Sequence, residues 1–151
     1  MQSMIRRLRT ILGYPGDGIV VLVDSILASC ADYRVEAEFR EDFIRGQLLG
    51  CDVEFKFGVS IPKSVLRAII ARVAVLCNEQ SPNAVSPYGG EGEMTVSAKP
   101  GALLKAVFVN TTVQQHLTLT TLRTAIQIPS SMEIVNEETP VGAGKLIPMR
   151  R

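Results

Sequence analysis

Between Cys77 and Val96 the chain reads CNEQSPNAVSPYGGEGEMTV, with a carboxylate at Glu79, a carboxamide at Asn83, a phenol at Tyr88 and paired glycines at Gly89 and Gly90. A carboxylate and a carboxamide can together hold a cation or orient a water, and glycines lacking Cβ let backbone N–H groups come close to an anion. These five residues form the candidate ligand-binding set. Pro82 and the glycines also spell a helix stop, a turn and a strand start. No cofactor follows from them.

Other reactive groups are less suggestive. The one histidine, His116, follows Gln114 and Gln115, with no patterned partner that would make it a base or a metal ligand, so it reads as a surface or turn residue. Glu36, Glu38 and Glu54 are interleaved with Arg34, Arg40 and Lys56. Charge pairing across strands explains that pattern more simply than an acid/base pair, which needs unequal, desolvated carboxylates. Cys30, Cys51 and Cys77 are odd in number and widely spaced, which suits small hydrophobes better than a disulfide or zinc framework. Arg6, Arg7 and Arg9 near one end and Lys145, Arg150 and Arg151 at the other read as solvated termini, because no nucleic-acid motif accompanies them.

The string NEQSPNA, Asn78 to Ala84, resembles the N-box of the GHKL ATPase superfamily, the nucleotide-binding domain of histidine kinases and anti-sigma kinases. The resemblance implies a catalytic role for Glu79 and magnesium binding for Asn83, followed by a strand pair such as GEMTVSA and LKAVFVN. It departs from the family where an adenine-reading Asp-x-Gly is replaced by Asn110, Thr111 and Thr112, and where a second glycine box is missing. Pro82 also falls inside the helical turn that would put Glu79 and Asn83 on one face. The likeness covers about 35 residues and supplies the alternative reading, a degenerate nucleotide-binding domain or small enzyme built on Glu79, Asn83 and GGEG.

The elements that must position these groups follow from periodicity. MIRRLRTIL is a basic amphipathic stretch able to form a short docking helix, closed by GYPGDG. From Ile19, the set Ile19, Leu22, Val23, Ile26, Leu27 and Cys30 fits a helical face with Asp17 as N-cap, while IVVLV serves equally as a strand. YRVEAEFR and CDVEFKF alternate strictly and predict an antiparallel pair, joined by the loop EDFIRGQ. Phe43 and Ile44, apolar residues in that loop, are candidate interface residues. Ser60 and Pro62 open a second helix, KSVLRAIIARVAVLCNE, so apolar that it should be covered on more than one side. EMTVSAKP, LLKAVFVN and HLTLTTL then predict a meander.

Bulk properties narrow the function classes. With 16 basic and 15 acidic side chains in 151 residues, the net charge of +1 provides no long-range field for nucleic acid or an anionic membrane. Aromatic residues are 5% and Trp is absent, which argues against base-stacking platforms. No apolar run reaches the ~18 residues a bilayer span requires. RRLR ahead of IVVLVDSILASC has the order of a lipoprotein signal ending at Cys30, yet Asp24, Ser25 and GYPGDG interrupt it, so a cytoplasmic, reduced protein is expected.

The expected architecture is α+β in two layers: a roughly five-stranded, largely antiparallel sheet, hairpin plus meander, with two helices packed on one face. A basic arm (1–18) would precede one domain (19–128), and an extended tail (129–151) would follow, able to cross to a neighbour. The excess of apolar surface leads to a self-associating module, homodimer or larger, that binds a small molecule or a protein and has no evident catalytic machinery.

Overall fold

The computed structural model describes residues 2–13 and 18–125. In residues 19–23, burial periodicity decides between helix and strand. Leu22, Val23, Ile26, Leu27 and Cys30 recur on one helical stripe and are all at most 4% exposed, so the segment is helix α2 (Ile19–Ala31). Gly18 occupies its N-cap position with φ 88 and no side-chain cap bond, and Asp17 lies outside the described residues. Ahead of it, α1 (Gln2–Gly13) buries Met4, Leu8 and Leu12, one per turn. Its edges are tied down by Ser3 Oγ to the Tyr33 hydroxyl at 2.8 Å, by Arg7 to Asp32 at 3.3 Å, and by the Arg9 guanidinium 5.1 Å from the Phe57 ring centroid. The basic arm is therefore a docked helix whose apolar stripe belongs to the core. Fully burying each such side chain stabilises by about 1.5–3 kcal/mol.

The strands are β1 (Val35–Phe39), β2 (Phe43–Leu48), β3 (Val53–Gly58), β4 (Gly89–Thr95), β5 (Leu103–Asn110) and β6 (Gln115–Arg123), with α3 (Lys63–Gln80) between β3 and β4. They form one antiparallel sheet in the order β3-β2-β1-β6-β5-β4. Two three-strand meanders are thus joined side by side where β6 returns to lie against β1, with Ala37 opposite Leu119 and Phe39 opposite Leu117. The fold is α+β as expected, with six strands among the described residues where roughly five were predicted, and three helices where two were.

The additional strand is β2, the segment predicted as a loop. Ile44 is fully buried opposite Phe57, and Phe43 lies half-buried on the other face, so both belong to a strand and not to a loop. Alternation in FIRGQL is hidden because Gly46 occupies an inward position between Ile44 and Leu48. Inward residues of the sheet, among them Phe39, Leu104, Phe108 and Leu119, pack beneath the helices in a single core. Its other face, carrying Glu36, Glu38, Arg45, Lys105 and Thr118, has no helix of the described residues against it.

Ser60 does not cap α3. The helix begins at Lys63, and the carbonyl of Pro62 accepts from the N–H groups of Val65 and Leu66 at 2.9 and 3.0 Å. It packs on α2 and along β4, β5 and β6, while Ala71 and Val75 remain exposed on its outer side. At its far end Ser81 is extended, as the residue before a proline should be, and the helix stops at Gln80.

Candidate functional site

The glycine-rich stretch is a strand, and its glycines answer to packing. A Cβ on Gly92 would stand 2.9 Å from the Cys77 Cβ, and one on Gly90 3.0 Å from a Val85 methyl. Gly89 and Gly90 pair with Val109 and Phe108 at the start of β4, so the segment forms no free loop of backbone amides. The connection before it is closed by Asn78. Its amide nitrogen donates to the Val85 carbonyl at 3.1 Å, and its Oδ1 accepts from the Val85 N–H at 3.0 Å, reproducing a pair of sheet bonds with a side chain.

The candidate set is scattered by this geometry. Asn83 sits exposed in the turn after Pro82, with φ 60, and Tyr88 is 69% exposed. Glu79 remains on the last turn of α3, which ends before Asn83, so the shared helical face implied by the N-box likeness is not formed. Of the five residues, Glu79 alone borders the enclosed cleft described below.

On the open face, β1, β2 and β6 bring Glu38, Arg45, His116 and Thr118 together. Glu38 takes the Arg40 guanidinium at 2.8 Å, bonds Arg45 directly across the strand pair, and lies 3.2 Å from His116 Nε2. Burial pushes its carboxyl up, but hydrogen bonds from Arg45 and Arg40 and their charges outweigh that and hold it below the usual carboxylate range. Thr118 Oγ1 meets the same nitrogen, Nε2, at 3.1 Å. A relay from hydroxyl through imidazole to carboxylate needs both ring nitrogens, one for each partner. This trio therefore has the residues of a triad without its wiring, and the cross-strand charge pairing suggested by the sequence describes it. The broad groove over it, about 640 Å³, holds the Glu38–Arg45 pair and a Gln47 amide donating to Glu36 among its lining.

A smaller cleft has a different character. It encloses about 200 Å³ where α2, α3 and the end of β4 converge, lined by Asp24, Leu27, Arg72, Leu76, Glu79 and residues 95–97. Arg72, Leu76 and Glu79 share a stripe of α3 at i, i+4 and i+7. Asp24 is the single charged residue of α2, and Arg72 is the one charge of α3 between Arg67 and Glu79. The turn after β4 is held in place by Lys99, which bridges to Asp32 at 3.0 Å. Arg72 Nε is shut off from solvent and has no hydrogen-bond partner, and Arg72 makes no ion pair among the described residues. A buried donor left unbonded is uncommon and calls for an explanation.

Periodicity did not single out Arg72, because an arginine within a helix is ordinary. Its signal was an isolated charge in an otherwise apolar segment, matched by the isolated Asp24 in α2. Comparison with models of known protein families and with curated proteins finds no match. Among the described residues, no helix is long and apolar enough to cross a membrane.

Proposed function

We propose that this protein is a small binding module whose ligand site is the cleft between α2, α3 and the end of β4. One observation carries the reading: Arg72 borders the cleft together with Asp24 and Glu79, and its charge has no ion-pair partner among the described residues. An anionic group bound in the cleft would give the Arg72 charge the partner it lacks. Proteins hold groups of this kind at sites where function offsets stability.

Replacing Arg72 by Met tests this directly in the ligand-free protein. A guanidinium kept for a ligand contributes nothing to the empty fold, so the urea midpoint should stay level or rise. If Arg72 instead anchors a structural ion pair, the substitution leaves a buried charge unpaired and destabilises by about 3–5 kcal/mol. A loss of that size would end the proposal.

A second reading, self-association, rests on the helical surface. Val20 and Val21 of α2 and Val75 of α3 are about half exposed, at 50%, 48% and 47%. A second copy of the chain would cover them; sedimentation as a monomer at micromolar concentration removes this reading. Three free thiols, two of them buried, suit a reducing compartment.

A further inference from the structure

The charges around Arg72 restrict what the cleft can take, and from them we infer that its ligand is a small free α-amino acid, bound as the zwitterion. This rests on the reading of the cleft as a ligand site and adds the ligand's chemical class. The cleft's ionisable groups are one guanidinium, Arg72, and two carboxylates, Asp24 and Glu79, a net charge of −1 by 1 − 2. A simple anion would satisfy Arg72 but face two negative neighbours. A simple cation would satisfy the carboxylates and leave the Arg72 charge unpaired. A molecule with both charges a few ångströms apart meets both demands, its carboxylate taken by Arg72 and its ammonium by Asp24 and Glu79.

Size and the remaining lining agree. At about 200 Å³ the cleft lies below the range of about 300–1,000 Å³ typical of drug-sized ligands. Leu27 and Leu76 offer an apolar wall for a short side chain, and Thr95 and Ser97 add hydroxyls that donate or accept. Nucleotides exceed this volume, and sugar phosphates carry too much negative charge to sit beside two carboxylates. Arg72 and Asp24 come from different helices, so a ligand bridging them would also tie α2 to α3.

The test is an NMR titration of the intact chain, following backbone amides. The probes are glycine, L-alanine and L-serine, with acetate and methylammonium as the separate halves. The inference expects saturable shifts centred on Asp24, Arg72 and residues 95–97 for the amino acids, and binding at least about tenfold weaker for either half alone. Arg72→Gln and Asp24→Asn should each abolish the shifts with the spectrum otherwise folded; two variants on separate helices guard against one failing to fold. Should acetate or methylammonium bind the cleft as well as alanine does, the zwitterion is overturned while the ligand site stands. If no probe moves the cleft amides, this inference falls, and the Arg72→Met midpoint decides the ligand site separately.

Discussion

The ring of Phe55 lies over Gly46 so closely that a Cβ there would stand 2.9 Å from the ring Cζ and would also overlap the carbonyl oxygen of Glu36. The aromatic side chain of β3 thus fills the space that a side chain on the neighbouring strand would need, opposite it in register. Gly46→Ala is expected to destabilise by about 1–3 kcal/mol, read as a lower urea midpoint, because the backbone oxygen cannot move aside cheaply. Gly13→Ala is the control: nothing lies within 4 Å of its Cβ position, and the change should be neutral or gain up to about 1 kcal/mol. An unchanged midpoint for Gly46→Ala would show that β2 is not packed in this register.

Asn78 bonds both backbone groups of Val85, so truncating it removes two contacts and leaves them open. Asn78→Ala should cost about 1–3 kcal/mol. Amide hydrogen exchange at Val85 should accelerate together with the midpoint shift, while exchange at Ile44 in β2 follows only the global loss. Equal exchange at Val85 in variant and wild type would exclude the clasp.

Glu38 sets an acid limit to stability. Its folded carboxyl titrates below its ordinary value of 4.5, so between those two points the unfolded chain binds the extra proton. Stability therefore rises with pH through that window. The contribution is fully present above about pH 4.5 and lost as the pH falls through the folded value. Glu38→Gln should lower the urea midpoint at neutral pH and flatten its decline in acid; a variant with the same acid slope as wild type refutes the assignment.

The cysteines set the alkaline limit. Burial pushes Cys30 up to about 12, with a small opposing effect from the Arg7 charge, and burial pushes Cys77 up to about 11, both from 9.0. In the unfolded chain these thiols ionise first, so stability is intact below about pH 9 and falls as the pH climbs toward the folded values. Exposed Cys51 should react quickly with an aromatic disulfide reagent in the native protein, and Cys30 and Cys77 only in denaturant. Fast native reaction of all three would contradict the core described here.

Much of this protein is determined by local pattern. The alternation of Val35, Ala37 and Phe39 with Glu36 and Glu38 specifies a strand with one wet face, and Pro82 specifies where α3 must stop, because each depends only on neighbours in the chain. Strand β2 escaped that logic, since its inward position at Gly46 is empty for the sake of a ring on another strand. The glycines of β4 looked like a loop for the same reason: Gly92 is small because Cys77 of α3 presses on it. Glu79 and Asn83, close in sequence, were parted by one proline, whereas Asp24 and Arg72, distant in sequence, came to border one cleft. Only tertiary structure could decide these matters, because packing and burial act between segments, and an isolated charge acquires its meaning from what the fold brings opposite it.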